Sequence, residues 1–305
     1  MCLPIKTWPS TKNDWASCTP EQQSALVDEL VAQITAADAV VVGGGAGLSA
    51  AAGFAYEGPR FEKHFADFER TYGIRDMYSG GFYPYKTLEE YWAWWSRVIW
   101  VNRYQVDAGQ PYKDLLSLVA PKDYFVLTTN VDHQFQLAGF EKERLFYTQG
   151  DYGLWQCSVP CHQETYDNRE AVEAMVAEQS NCRIPHHLVP LCPVCGQPMT
   201  MNLRCDETFV EDAGWHRAAA RYQAFLRAHE GGRVFFLELG VGQNTPGIIK
   251  YPFWQQVAKN PRARYGCVNA GQAQAPAQIA TRSLCINGDL APVLTQAAAR
   301  ASSLA

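Results

Sequence analysis

The 305-residue sequence predicts an α/β fold: a Rossmann-like parallel sheet carrying a helical insert and a small cysteine-bearing module. Three observations carry this. Short apolar runs of strand length end in glycine or polar residues. Segments of helical period separate most of them. Two cysteine pairs fall in one stretch that breaks the alternation.

In chain order, Pro20 to residue 37 reads as a helix, with Ala25, Leu26, Leu30, Val31 and Ile34 at helical spacing. Asp38 to Val42 follows as a buried strand that runs into glycines. Comparable runs lie at Tyr124–Thr128, Leu145–Thr148, Val234–Leu237, Arg264–Val268 and Ser283–Ile286, with helical segments at 87–105, 111–120, 214–230 and 290–300. Residues 57–110, crowded with Phe61, Phe65, Phe68, Trp92, Trp94 and Trp95, read as the helical insert. Aromatics at helical spacing predict core; a sharper reading makes the surface around Tyr83 and Trp92 an acceptor groove. The expected organisation is a sheet domain over 20–150 and 206–300, the insert at about 57–110, and a ribbon-like module over 151–205.

A chain 47% hydrophobic and 19% charged is not disordered, coiled-coil or collagen-like. A net charge of −5 without a basic cluster argues against a nucleic-acid partner. The richest apolar stretch, Tyr91 to Val101, is short and carries Ser96 and Arg97, so no membrane helix is expected. Met1 to Trp8 lacks the apolar core of a secretory signal, and a cytoplasmic protein is expected. Ten cysteines would suit a disulfide scaffold only in a small exported chain, so most thiols should be reduced. Cys267 and Cys285, each inside an apolar run, read as buried thiols.

Four segments carry chemistry. Gly43-Gly44-Gly45-Ala46-Gly47-Leu48-Ser49 through Gly53 follows a strand and opens a small-residue helix, a backbone suited to approach a pyrophosphate. The bland alternative is a tight strand-to-helix turn. A dehydrogenase would carry an acidic residue ending a second strand about 20 residues on. Residues 60–75 instead read as helical, which counts against hydride transfer. Thr128-Thr129-Asn130-Val131-Asp132-His133 and Thr148-Gln149-Gly150-Asp151 sit at strand ends, where open α/β sheets bind ligands; for Asp132, helix capping is the competing role. Leu239-Gly240-Val241-Gly242-Gln243-Asn244-Thr245-Pro246 is a further backbone-rich strand end, or a simple turn. Finally, Cys157-x-x-x-Cys161 and Cys192-x-x-Cys195 have the spacing of a structural tetrahedral zinc site, since four thiolates leave no open position. Their 30-residue separation leaves His162, Cys182, His186 and His187 as substitute ligands, and a metal-free module with buried thiols as the alternative.

The order of these motifs over about residues 25–295 resembles the sirtuin family. Gly45-Ala46-Gly47-Leu48-Ser49 with Gly53 is similar to its glycine-alanine-glycine-isoleucine-serine signature, and Thr129-Asn130-Val131-Asp132 to its glutamine-asparagine-isoleucine-aspartate motif. Gln149-Gly150 stands where the family has histidine-glycine, and the cysteine pairs follow as its zinc ligands do. Asn269 and Asn287-Gly288-Asp289 have late counterparts. The departures are equally informative. The proline-aspartate-phenylalanine-arginine segment is rewritten as Phe54-Ala55-Tyr56-Glu57-Gly58-Pro59-Arg60, and the catalytic histidine is Gln149, which orients a hydroxyl but cannot act as a base. With Gly240 to Pro246 and Ile248-Ile249-Lys250-Tyr251-Pro252-Phe253-Trp254, the pattern is most similar to the M-class, macrodomain-linked sirtuins.

That resemblance implies an NAD-dependent protein mono-ADP-ribosyltransferase with crippled deacylation. The acceptor it implies is a lipoylated carrier like the glycine-cleavage H protein, and the associated partner a macrodomain hydrolase. It makes Asn130 and Gln149 the catalytic pair and places Asp132 on the carboxamide. Gly45, Ala46, Gly47, Ser49, Gly53, Gly240, Gly242, Asn244 and Asn269 line the rest of the dinucleotide site, with Cys157, Cys161, Cys192 and Cys195 on zinc. The competing functions are a residual lysine deacylase, an NAD hydrolase, or an inactive NAD- or ADP-ribose-binding sensor.

Overall fold

The structure, a computed structural model, describes residues 13–243 and 246–304. The reading of Met1 to Trp8 falls outside it. The chain opens with α1 (Pro20–Ala36), started by a Thr19–Gln22 capping box and Pro20 in the first turn. It continues through β1 (Ala39–Gly44), α2 (Ala46–Ala51), α3 (Pro59–Tyr72), α4 (Met77–Gly81), α5 (Leu88–Ile99), a π-helical turn at Trp100–Tyr104, α6 (Gln110–Val119) and β2 (Asp123–Thr128). Next come α7 (Gln134–Leu137), β3 (Leu145–Tyr147), β4 (Gly150–Cys157), β5 (Tyr166–Asp167), α8 (Arg169–Glu178) and β6 (Met199–Leu203). The chain closes with α9 (Ala213–Ala228), β7 (Val234–Leu239), α10 (Lys250–Lys259), β8 (Arg264–Asn269), β9 (Ser283–Asn287) and α11 (Leu290–Ser302).

Six strands form a parallel sheet in the order β3-β2-β1-β7-β8-β9. Both faces are covered, which is why its strands read as continuous apolar runs rather than alternating ones. In β1, Val40 and Val42 pack with α1, α6 and α11, while Val41 packs on the opposite side with α9 and α10. The connections from β1 pass to β2 on one side, and the chain returns to β7 on the other. The switch point therefore lies at the carboxyl ends of β1 and β7, where such sheets form a ligand crevice.

The three strands β5-β4-β6 make a separate antiparallel ribbon. The insert does not pack on the sheet's core. Phe61, Phe65, Phe68, Trp92 and Trp94 share one apolar cluster with Trp155, Cys157, Val172, Met175, Met199 and Met201 of the ribbon and α8. Trp92 is fully buried and lies against Trp155, with centroids 4.7 Å apart and rings tilted by 55°, so it lines no groove; Tyr83 is half-buried against Tyr72 and Tyr85.

Candidate active site and metal centre

At the switch point the glycine turn docks on β7 by its own backbone. The Gly45 amide donates to Leu239 O and the Gly47 amide to Gly240 O, each at 2.9 Å. A Cβ at position 45 would come within 2.6 Å of Val241 Cα, and one at position 47 within 2.8 Å of Gly240 Cα. These two glycines answer first to a close backbone approach within the protein. Gly53 is required for its φ of 90°. Ala46 is exposed, Gly47 half-buried and Gly242 half-buried. Asn269, ending β8, is buried and donates from Nδ2 to Val241 O at 2.8 Å, tying the third strand end to the same loop. Asn244 lies outside the described residues.

Beside this turn, the end of β2 presents a polar network. Asn130 donates from Nδ2 to Gly45 O at 3.0 Å and to the Tyr112 hydroxyl at 3.1 Å. That hydroxyl lies 2.9 Å from Ser49 Oγ, which donates to Asp132 Oδ2; the Gln134 amide donates to Asp132 Oδ1 at 3.2 Å. Ser49, Asn130 and Asp132 are thus brought together, with Tyr112 as a link that no sequence signal marks. Burial raises the Asp132 carboxyl above the usual carboxylate range, with the field of Asp151 adding to it and the Ser49 and Gln134 bonds opposing. Burial also pushes the Tyr112 phenol well above its ordinary value.

Gln149 follows β3, the neighbour of β2. It is half-buried, its carbonyl accepts from the Arg204 amide at 3.1 Å, and its side-chain amide has no hydrogen-bond partner among the described residues. The two segments are stitched together by the Tyr152 amide, which donates to Val131 O at 2.8 Å. On the insert side the Tyr56 and Tyr152 hydroxyls are 2.7 Å apart, and burial holds the Tyr56 phenol up at about 12. Arg60 donates to Val101 O at 2.6 Å and Asn102 Oδ1 at 2.8 Å, while Glu57 is exposed. A cleft of about 570 Å³ is lined by Tyr147, Gly150, Asn202, Asp212, Trp215 and Arg221; neither Asn130 nor Gln149 lines it.

The Sγ atoms of Cys157, Cys161, Cys192 and Cys195 lie within 4.8 Å of one another, a set that can hold a metal ion. The neighbouring candidates point elsewhere. Cys182 is buried against Thr71, His186 bonds Glu89 at 2.7 Å, and His187 faces Glu178 at 3.8 Å; His162 Nδ1 touches Cys161 Sγ at 3.0 Å from outside the set.

A parallel sheet with a glycine turn at its switch point and a four-cysteine ribbon beside it is the sirtuin architecture. Sir2Tm bound to a propionylated peptide superposes with a TM-score of 0.57 at 18% identity, over 90% of this chain and 98% of that one. A Sir2 homologue in complex with NAD gives 0.55 at 16% identity, over 91% and 94%. In sequence, the chain is 38% identical to a protein ADP-ribosyltransferase of Staphylococcus aureus (strain Mu50 / ATCC 700699) over 289 residues, 94% of this chain and 92% of the relative. It is 29% identical to a probable bifunctional ADP-ribose hydrolase/ADP-ribosyltransferase of Fusarium oxysporum f. sp. cubense, matching 89% of this chain but 47% of that protein. No family model matches the chain. The chain belongs to the sirtuin-type protein ADP-ribosyltransferases. No described helix is long and apolar enough to cross a membrane.

Proposed function

We infer that the protein transfers the ADP-ribosyl unit of NAD to a protein acceptor, releasing nicotinamide, with Asn130 and Gln149 as the residues nearest the reacting ribose. The observation that carries this assignment is the pair of amide side chains just after β2 and β3, of which Asn130 is joined to the glycine turn through Gly45 O. Asn130 is held by Gly45 and Tyr112 and orients the nicotinamide ribose. The Gln149 side chain, uncommitted among the described residues, holds ribose hydroxyls or the acceptor; as an amide it takes no proton, which favours transfer over deacylation. Asp132 receives the carboxamide N–H. Gly45, Ala46, Gly47, Ser49, Gly53, Gly240, Gly242, Asn244 and Asn269 form the remaining wall.

The metal assigned to the four cysteines is zinc. Four sulfurs about 2.3 Å from one tetrahedral ion sit about 3.8 Å apart, and the Cys157–Cys195 and Cys161–Cys192 separations of 3.5 and 3.8 Å fit that figure. With no open position the ion is structural, bracing the ribbon. The free thiols fit a reducing compartment, the cytoplasm. The acceptor assigned is a lipoylated carrier of the glycine-cleavage H type, and the fungal relative, named for hydrolase and transferase together, supports a macrodomain hydrolase as partner.

Intact-mass spectrometry tests the reading, with NAD and three acceptors: lipoylated carrier, unlipoylated carrier and an acetyl-lysine peptide. One added ADP-ribosyl unit on the lipoylated carrier, lost in Gln149→Ala, is the expected result. Transfer untouched in Gln149→Ala refutes the assignment of Gln149, and deacetylation by the native protein refutes the argument from the lost base. Gln149→His that gains deacylation shows that only the base was missing.

A further inference from the structure

The residue after Asp132 stands out in the backbone. His133 adopts a φ of 65°, one of three non-glycine residues in the left-handed region among those described. That conformation turns its ring to Asp151, with Nδ1 2.7 Å from Oδ2. The Asp151 side chain is 5% exposed and is held from two further directions. Arg103 Nε lies 2.7 Å from Oδ1, and the Gly153 amide donates to Oδ1 at 2.7 Å. Arg103 comes from the π-helical turn, and its guanidinium packs against Gly153, where a Cβ would come within 2.4 Å of Nε. With Nδ1–H given to the carboxylate, the neutral ring carries its lone pair at Nε2. Nε2 has no partner among the described residues, and the side chain is 26% exposed. His133 is three residues from Asn130, Asp151 two from Gln149, and the Val131–Tyr152 hydrogen bond fastens the two segments between them.

We propose that His133, oriented by Asp151, takes the proton of the acceptor during ADP-ribosyl transfer, the role that Gln149 cannot fill. The proposal rests on the transferase reading above. The acceptor X–H attacks the anomeric carbon; the X–C bond forms as the carbon–nicotinamide bond breaks, its electron pair leaving with neutral nicotinamide. The proton passes from X to His133 Nε2 and on to solvent through the exposed edge of the ring. An acceptor served this way is a protic nucleophile, a thiol or hydroxyl, rather than a carboxylate already ionised. The ionisable groups around the dyad are Arg103 and His133 on Asp151, the buried Asp132, and the phenols of Tyr104 and Tyr147, whose raised values include the field of Asp151.

The test compares native protein with His133→Asn and Asp151→Asn, following nicotinamide release and mass gain on lipoylated carrier at pH 7.5, with the NAD KM taken separately. Asparagine tolerates the left-handed backbone, so His133→Asn keeps the fold while removing the base. The expected result is a transfer kcat lowered about 100-fold or more with an NAD KM within about two-fold. Asp151→Asn should also lower kcat while leaving the NAD KM within about two-fold. A His133→Asn protein with native kcat overturns the proposal, as does a defect confined to KM. Native protein that binds NAD but releases no nicotinamide with any carrier removes the transferase reading itself, a result distinct from indifference to His133.

Discussion

Lys250 opens α10 directly after the loop at residues 246–249, yet it is 1% exposed and its ammonium pairs with Glu238, which is completely buried in β7. The other Glu238 oxygen accepts from the Tyr265 hydroxyl, and Cys267 Sγ lies 3.6 Å from the first. Lys250→Met removes the cation and leaves the carboxylate with only neutral donors. Breaking a buried pair on one side costs about 3–5 kcal/mol, and the two retained donors argue for the lower end, about 3 kcal/mol. For a 305-residue chain, with an unfolding entropy of about 2.1 cal/mol/K per residue, that is a fall in Tm of about 5 °C. Adding Glu238→Gln removes the stranded charge while an amide still accepts from Tyr265, so the double variant should recover all but about 1 kcal/mol. Thermal and urea unfolding at pH 7.5 measure both. A single variant within about 1 kcal/mol of the native protein, or a double variant no better than the single, would show that the ion pair does not anchor this loop.

Gly240→Ala places a Cβ 2.4 Å from the Leu48 amide nitrogen at a φ of 64°. It should lose at least 1–3 kcal/mol to backbone strain and raise the NAD KM, read by unfolding and by initial rates; unchanged values for both would refute the close-approach argument. Asp132 has a folded pKa raised by burial, so its contribution to stability is present at low pH and lost as pH rises through the folded value. Asp132→Asn should therefore be more stable than native protein near pH 7, with the gap closing through the ordinary carboxylate range, while transfer activity falls; a pH-independent difference would contradict this. Titrating the thiols with an organomercurial should release one zinc per chain and lower Tm, and Cys195→Ser should do so without the reagent, whereas Cys182→Ser should leave zinc content unchanged.

Much of the scaffold was legible because its signals are local. β1, β2, β7 and β8 declare themselves as apolar runs because both faces of the parallel sheet are covered. The four cysteines declare themselves by knuckle spacing, since the two thiols of each pair lie only three or four positions apart. Thr19 and Pro20 mark the start of α1 without reference to anything distant. The helical insert was legible as helices, but not its allegiance to the ribbon core, because aromatic spacing says that a face is buried without saying against what.

Residues that act through partners far along the chain were not legible. Tyr112 looks like any helical aromatic until it meets Ser49, 63 positions away, and Asn130. Lys250 interrupts an apolar stretch, but only the fold puts it against Glu238. Cys182 and the four clustered thiols are the same side chain; what separates them is that packing turns one toward Thr71 and four toward one another. The sequence by itself determined the six strands of the parallel sheet and most of the helices around it, though not α10 or the ribbon strands, and that position 149 carries an amide. Only the tertiary structure decided which polar groups meet, including His133 with Asp151 and Arg103. Period and spacing constrain neighbours within a turn or two, whereas contacts between segments depend on how the whole sheet and its insert pack.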